Sequence, residues 1–214
     1  MIKSGKDVQM PILTTLFNLI LVNQVFPEGW RVNSITPIHK KGNALNPENY
    51  RGIAVSSHLS KLLCSILNNR LMDFTEKHKT IPFNQIGFKR NCRTSDHIFT
   101  LKTIIDKYIN QLPRQYLFSC FVDFFKSAFD TVWRQGLFYK LTACGIGGNF
   151  LGLLQNMYTN VSYSIKTEHG CTEKFSSNVG VKQGCVLSPI LFNLFTFLIY
   201  LMLLAARCNW THAI

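Results

Sequence analysis

The spacing of apolar and polar residues predicts a series of helices separated by a few short strands. Residues 10–25 place apolar side chains at helical spacing and stop before Pro27, which indicates a first helix. Five further helices are predicted in the same way, several of them beginning at capping residues such as Ser56 or Ser57 and Thr94 or Ser95. They span about 56–74, 94–111, 127–143, 148–159 and the segment that begins at Ser188-Pro189.

The strands are predicted from short β-favouring segments between these helices. Trp30–His39 is short and rich in β-favouring residues, and Leu117–Phe124 is almost entirely apolar, which is typical of a buried strand. Val161–Lys166 and Glu173–Val179 resemble the two arms of a hairpin. Helices alternating with a few strands predict an α+β fold, and no linker is long enough to separate two independent domains.

The composition is that of a folded protein with a basic surface. Hydrophobic residues make up 47% of the 214 residues and charged residues 16%, which excludes a disordered chain. The formal net charge of +12 predicts a polyanionic partner, either nucleic acid or an anionic membrane surface, although a solvated basic face would give the same charge. Residues 1–107 contain 15 Lys and Arg against 7 Asp and Glu, so we expect the first half to contact phosphate.

Cysteine and histidine usage indicates an intracellular protein, cytoplasmic or nuclear. The seven cysteines are scattered, no C-x-x-C occurs and the histidines form no ligand-spaced pair, which disfavours a disulfide framework and a zinc site. Reduced thiols fit this pattern better. The first residues do not have the organisation of a signal peptide.

An apolar run near the end of the sequence has two interpretations. Residues 190–206 contain only Asn193 and Thr196 as polar side chains, a length at the short limit of a membrane span. The competing interpretation is a core helix of a globular protein. The sequence motifs just before this run favour the core helix, so a membrane partner is disfavoured.

Asp123 is the first candidate for chemistry, because it follows a strongly apolar segment. Burying an unpaired carboxylate is costly, so this side chain is expected near the surface, in an ion pair, or holding a cation. Position alone leaves capping, a salt bridge and metal binding open.

Five short motifs together resemble the reverse transcriptases of non-LTR (LINE-type) retrotransposons. Their order and separations are similar to those of that family, across residues 26–195. The motifs are Asn49-Tyr50-Arg51-Gly52-Ile53, Gln85-Ile86-Gly87-Phe88, Phe121-Val122-Asp123-Phe124, Ala128-Phe129-Asp130 and Gln183-Gly184-Cys185-Val186-Leu187-Ser188-Pro189. The resemblance implies a right-hand polymerase fold, with residues 1–115 as a fingers-like region and 116–214 as a partial palm.

The resemblance also implies partners and a cofactor. The family adds dNTPs to a DNA primer on an RNA template with two Mg²⁺ (or Mn²⁺) ions, which three carboxylates usually bind. By match, Asp123 is the catalytic and metal-binding carboxylate, and Phe124 lends a backbone carbonyl. No obligatory protein partner can be inferred from the sequence.

Further residues acquire roles by the same match. Lys40, Lys41 and Arg51 are expected to face the incoming triphosphate, since Arg offers two parallel donors to phosphate and Lys a mobile charge. Phe129 matches the bulky residue beneath the sugar, and Gln183 and Gly184 match the loop that touches the template and nascent pair. The residues expected near the template strand are Lys89, Arg90 and Arg93.

Two departures from the family pattern limit the expected activity. The family's aromatic-Ala-Asp-Asp hairpin is missing, and after Asp130 the only acidic residues are Glu168 and Glu173. We therefore expect an incomplete palm and no polymerase activity from this chain alone. The spacing from Asp123 to Phe129-Asp130 is also one residue longer than usual, which in a helical turn rotates the subsequent residues by about 100°. Two alternatives stay open: a nucleic-acid-binding remnant without chemistry, and a small membrane-anchored basic protein.

Overall fold

The computed structural model describes residues 6–110, 116–119, 121 and 127–196, and they form an α+β fold as predicted. Each predicted helix is found, and all but the one predicted over 127–143 begin close to the expected residue. The helices are α1 (Lys6–Asn23), α2 (His58–Lys77), α3 (Thr94–Ile109), α4 (Arg134–Ala143), α5 (Gly148–Met157) and α6, whose described part is 188–196. The strands are β1 (Val32–His39), β2 (Tyr50–Val55), β3 (Ser162–Thr167), β4 (Gly170–Cys171) and β5 (Phe175–Ser176).

The sheet has β1 at its centre. β1 pairs antiparallel with β2, with Ile38 opposite Arg51, and parallel with β3, with Ser34 opposite Ser164. β3 also pairs antiparallel with β5 and with β4, which confirms the predicted hairpin. The apolar pattern did not predict β2, since Arg51 and Gly52 interrupt it and most of the strand is exposed.

The core lies where the helices meet. The fully buried side chains include Leu63, Leu67 and Leu71 of α2, which lie on one face at helical spacing. The others that fill this core come from α4, α5, α6 and nearby loops and include Phe26, Leu137, Leu141, Leu153, Leu154, Met157, Leu187, Leu191 and Leu194. Ser57 caps α2 by accepting a hydrogen bond from the Ser60 N–H, at 3.2 Å.

The apolar run before Asp123 differs from its prediction as a buried strand. Phe118 is 91% exposed and Phe121 is 81% exposed, and residues 117–119 and 121 are not part of a strand. An apolar segment is buried only where other elements cover it, and the described elements leave Phe118 and Phe121 largely uncovered. The remainder of the predicted strand lies outside the described residues.

The predicted helix over 127–143 begins later than expected. Residues 127–131 form a turn, and α4 starts only at Arg134. The reason is pairing with a distant segment: the Val181 N–H donates to the Phe129 carbonyl at 2.7 Å, and the Gly180 N–H donates to the Val132 carbonyl at 2.8 Å. These bonds hold residues 129–132 against the 180–181 segment.

The described part of the apolar run 190–206 packs inside the protein. Ile190, Leu191 and Leu194 are each at most 3% exposed, and the Asn193 amide donates to the Gly87 carbonyl at 2.6 Å. Among the described helices, none is long and apolar enough to cross a membrane. Residues 197–206 lie outside the described part of the chain.

Candidate nucleotide cleft

An open cleft of about 630 Å³ lies between the end of β1, β2 and the turn that precedes α4. Four of the residues singled out in the sequence line it, although they are widely separated along the chain. They are Lys40, Arg51, Phe129 and Gln183. The β1–β2 hairpin provides the cationic wall, Gln183 lies next to it because it is hydrogen-bonded to β2, and the 127–130 turn lines the rest of the cleft.

The cationic wall is held by the hairpin's own hydrogen bonds. The Lys40 N–H donates to the Asn49 carbonyl at 2.8 Å, which closes the hairpin next to the cleft. The Tyr50 hydroxyl donates to the Ala44 carbonyl at 2.9 Å and fixes the connecting loop. Lys41 lies exposed in that loop and is not among the residues that line the cleft.

Phe129 is held by contacts with two other aromatic rings. Its ring stacks on Phe192, with centroids 5.0 Å apart, and meets Phe88 edge to face at 6.0 Å. The turn that carries Phe129 closes with the Asp130 N–H donating to the Ser127 carbonyl at 2.8 Å. Phe129 is therefore a packed side chain that also forms part of the cleft wall.

Gln183 is hydrogen-bonded to β2, and Gly184 packs closely against the same strand. The Ala54 N–H donates to the Gln183 carbonyl at 2.8 Å. Gly184 has a φ of +106°, and a Cβ at this position would lie 2.9 Å from the Ala54 carbonyl oxygen. Glycine is required here for both reasons, since the backbone approaches β2 closely and adopts a conformation that other residues disfavour.

Arg134 fixes the segment that leads to Gln183, and the sequence motifs did not identify it. Its buried guanidinium donates to four backbone carbonyls at 2.7–3.1 Å: those of Tyr158, Ser177, Val179 and Gly180. Burial lowers the pKa of Arg134. The sequence offered no signal for this role, because the helix predicted over 127–143 places Arg134 in its interior rather than in its first turn.

Asp130 lines the cleft but was not among the predicted site residues, although it belongs to the matched Phe-Asp pair. Partial desolvation by the cleft raises the pKa of Asp130, and the charge of Lys40 acts in the opposite direction. Asp130 and Glu48 are the carboxylates among the cleft-lining residues.

The three basic residues predicted near the template each contact a different neighbour. Arg90 donates to Asp73 at 2.5 Å and lies 3.8 Å from Glu76, so it is tied to α2, and the hydrogen bond to Asp73 raises the pKa of Arg90. The Arg93 N–H donates to Asp96 at 2.6 Å at the start of α3. Lys89 lies over the ring of Phe83, 5.8 Å from its centroid.

Asp123 and Phe124 lie outside the described residues. Among the residues that the structure does describe, no three His, Cys, Asp or Glu side chains are grouped closely enough to hold a metal ion. A hard divalent cation takes about six oxygen ligands, and the cleft lining offers two carboxylates with Lys40 beside one of them. The described donors do not by themselves fit a metal centre.

Residues 38–208 match the family model described as reverse transcriptase (RNA-dependent DNA polymerase). The chain is 31% identical over 186 residues to the probable RNA-directed DNA polymerase from transposon BS of Drosophila melanogaster, which covers 86% of the chain. It is 31% identical over 193 residues, or 89% of the chain, to the RNA-directed DNA polymerase from mobile element jockey of Drosophila funebris. It is also 32% identical over 197 residues, or 90% of the chain, to the retrovirus-related Pol polyprotein from type-2 retrotransposable element R2DM of Drosophila melanogaster. The chain spans about a fifth of the length of these relatives: 20%, 20% and 18%.

Proposed function

Because the chain belongs to the reverse transcriptase (RNA-dependent DNA polymerase) family, with non-LTR retrotransposon polymerases among its relatives, we propose that its cleft binds the triphosphate of an incoming dNTP. One observation carries this proposal. Lys40 and Arg51 line the same cleft as Phe129 and Gln183, so two cations share one cavity with the residues matched to the sugar and the nascent pair.

The chemistry of the cationic wall suits a triphosphate. Arg51 of β2 is exposed and lines the cleft, and a guanidinium can donate two parallel hydrogen bonds to phosphate oxygens. Lys40 adds a compact positive charge at the end of the neighbouring strand. Lys41 does not line the cleft, and its exposed side chain in the adjoining loop would reach a triphosphate only from outside.

The remaining residues of the cleft suit the nucleoside. Phe129 is held rigidly by Phe88 and Phe192, so its ring limits the space at the position matched to the sugar. A fixed ring there would exclude a 2′-hydroxyl and favour dNTP over rNTP. Gln183 and Gly184, fastened to β2, would touch the template and the nascent base pair.

The wider organisation follows from the same proposal. Residues 1–115 act as the fingers and 116–214 as part of the palm of an intracellular polymerase, cytoplasmic or nuclear, that copies an RNA template onto a DNA primer. Asp123, with Phe124 beside it, would hold a Mg²⁺ or Mn²⁺ ion, and the metal would activate the primer hydroxyl and steady the triphosphate. Because the described residues add no full ligand set, the chain alone is proposed to bind nucleotide without extending a primer.

Replacing Arg51 with alanine is expected to weaken dNTP binding by on the order of tenfold to a hundredfold. The reason is that a charged hydrogen-bond pair contributes about 1.5–3 kcal/mol. The measurement is a titration of the full chain with a fluorescent dATP analogue in the presence of MgCl₂, followed by anisotropy.

The matched control is Arg70→Ala, which also removes an exposed arginine but lies on α2, away from the cleft. This variant should bind the analogue as the parent chain does. An equal loss of dATP-analogue affinity in Arg51→Ala and Arg70→Ala would show that only the net charge of the protein affects binding. That result would contradict the proposed site.

A second candidate function is nucleic-acid binding without chemistry, which the exposed aromatic surface beside Lys89 favours. Phe83 is 94% exposed, and Lys89 lies over its ring. Exposed rings next to Lys or Arg stack on bases while the cation contacts phosphate.

Phe83→Ala is therefore expected to weaken binding of single-stranded RNA about tenfold, since one stacked base contributes about 1–3 kcal/mol. Lys89→Ala should instead reduce the slope of log K against log salt by about one. Both are measured by filter binding across a salt series. Phe99→Ala, which removes another exposed ring on α3, is the control, and a loss as large in this variant would refute the stacking role of Phe83.

A further inference from the structure

The described fold buries only one face of α1. That face packs on α5 and includes the buried side chains of Phe17 and Ile20, and Gln24 just after the helix donates to the Asn149 side chain at 2.9 Å. A row of exposed side chains runs along another side of the same helix. We call this row the outer stripe, and its members are Val8, Ile12, Thr15, Leu19 and Val22.

The outer stripe has the spacing of a helix that packs against another helix. Its successive members are four, three, four and three residues apart, which is the repeat of a coiled-coil seam. The four aliphatic members are 55–72% exposed, and the stripe runs for about 21 Å along the helix. Thr15 is its polar member, and the Thr15 hydroxyl donates to the Pro11 carbonyl at 3.0 Å, so it needs no hydrogen-bond partner outside the helix.

An apolar groove extends the outer stripe onto α2. The groove has a volume of about 560 Å³, and its apolar lining consists of Ile12, Leu13, Leu59 and Leu62. Leu59 and Leu62 belong to α2 and are exposed. Because Ile12 belongs to both the stripe and the groove, a helix that lies along the stripe also covers part of the groove.

The charge of the chain favours a second copy as the partner of the outer stripe. The formal net charge is +12, so two copies repel each other wherever their basic faces approach. Residues 8–27 contain no Asp, Glu, Lys or Arg, so copies that meet through the stripe bring no like charges together along it. Nucleic acid or an acidic protein would find no cation in the stripe, whereas an identical uncharged stripe is complementary to it.

The area of the outer stripe sets the expected strength of the contact. Burying one exposed aliphatic side chain removes roughly 60–120 Å² from water, so the stripe and the two groove leucines of α2 amount to a few hundred Å² on each copy. A stable interface buries about 800 Å² on each partner. The dimer is therefore weak, with a dissociation constant in the micromolar range.

We propose that the outer stripe is a self-association surface, on which α1 of a second copy packs antiparallel about a two-fold axis near Thr15. A two-fold axis lets the same patch serve on both copies and closes the assembly at a dimer. Antiparallel helices place the positive end of each helix dipole beside the negative end of the other. With this axis, Ile12 of each copy lies opposite Leu19 of the other.

The self-association surface is separate from the cleft. None of the outer-stripe residues is among the residues that line the cleft. The proposal therefore does not depend on the cleft binding nucleotide, and a dimer formed through α1 leaves both clefts open.

The test is sedimentation equilibrium of the full chain over a concentration series in the micromolar range, at low and at high NaCl. We expect a reversible equilibrium between monomer and dimer. High NaCl should strengthen the dimer, because salt screens the repulsion between two basic copies while the apolar contact is retained. A monomer at every concentration, association that continues beyond a dimer, or a dimer that high NaCl dissociates would each overturn the proposal.

Leu19→Lys is expected to weaken the dimer by about a hundredfold or more, since it places an unpaired charge in the contact. The matched control is Leu45→Lys, which adds the same charge at an exposed leucine in the loop between β1 and β2 and should leave the dimer as strong as in the parent chain. Both positions are exposed, so urea unfolding of the two variants should match the parent. An equal loss of dimer in both variants would show that only net charge controls association.

A mixture of two variants tests the antiparallel arrangement. Ile12→Glu and Leu19→Lys should each be largely monomeric alone, because each places an unpaired charge in its own contact. Mixed in equal amounts they should regain a dimer, since the introduced carboxylate of one copy lies beside the introduced ammonium of the other. A mixture that stays as monomeric as its components would refute the packing of α1 on α1. If either variant fails to fold, the concentration and salt series of the parent chain still decides the proposal.

Discussion

Replacing Arg134 with methionine is expected to lower the free energy of unfolding by about 4 kcal/mol or more. The guanidinium supplies hydrogen bonds to the carbonyls of Tyr158, Ser177, Val179 and Gly180, and it is only 5% exposed. Methionine fills similar space but leaves those carbonyls without this donor, and each unsatisfied buried group costs about 1–3 kcal/mol. Domains of this size are stable by only about 5–15 kcal/mol, so the loss is a large share.

Two further variants show whether the planar geometry of the Arg134 guanidinium or only its positive charge stabilises the fold. Arg134→Lys keeps the charge but cannot reach four carbonyls in fixed directions, so it should recover only part of the stability. Arg70→Met removes an exposed arginine and should change stability by less than about 0.5 kcal/mol. Urea unfolding followed by circular dichroism measures all three. A stability of Arg134→Met within about 1 kcal/mol of the parent would contradict the structural role.

Replacing Gly184 with alanine is expected to abolish dNTP binding in the cleft and to destabilise the chain by about 2–3 kcal/mol. The residue adopts a φ of +106°, and the added Cβ would lie 2.9 Å from the Ala54 carbonyl oxygen and 3.1 Å from Ile53 Cγ2. Ala54 cannot retreat, because it belongs to β2 and pairs with Ile35 of β1. The loop must move instead, which breaks the bond between Gln183 and Ala54 and displaces Gln183 from the cleft.

The matched control for this change is Gly29→Ala. Its added Cβ meets no atom within 4 Å, and its backbone is not in the left-handed region. This variant should bind the fluorescent dATP analogue and unfold in urea as the parent chain does. If Gly184→Ala binds the analogue normally, then the Gln183 loop is not part of the binding site.

The helices and the hairpin were predictable because their signals are local. The face of α2 with Leu63, Leu67 and Leu71 repeats at helical spacing, and Ser57 before it is a usual cap. The glycines before α5 end the preceding helix in the same local way. Such features do not depend on which element packs opposite.

The failures occurred where distant pairing decides the structure. The helix expected over 127–133 is absent because the backbone N–H groups of Gly180 and Val181 donate hydrogen bonds to carbonyls of this segment. A local sequence pattern cannot predict a partner some fifty residues away. β2 was missed for the same reason, since its place is set by pairing with β1 rather than by its own alternation. Phe118 and Phe121 illustrate the opposite error. Their apolar sequence predicted a buried strand, but among the described residues no element covers them and both side chains are exposed.

The candidate site was predictable in part through the motif match. Lys40, Arg51, Phe129 and Gln183 meet in one cleft, although nothing in their local sequence requires this. Arg90 shows the limit of that reasoning, since its pairing with Asp73 depends on how α2 packs against the following loop. Arg134 is a second example. It donates hydrogen bonds to the carbonyls of Val179 and Gly180, in a segment without a recognisable motif, so no motif indicated its structural role.

The most direct test of the central claim is a crystal structure of this chain with a dNTP and Mg²⁺. The proposal predicts the triphosphate in the cleft between Lys40 and Arg51, the sugar over Phe129, and the Asp123 carboxylate at the metal. A triphosphate bound elsewhere, or an Asp123 side chain packed in the interior away from Arg51, would contradict it.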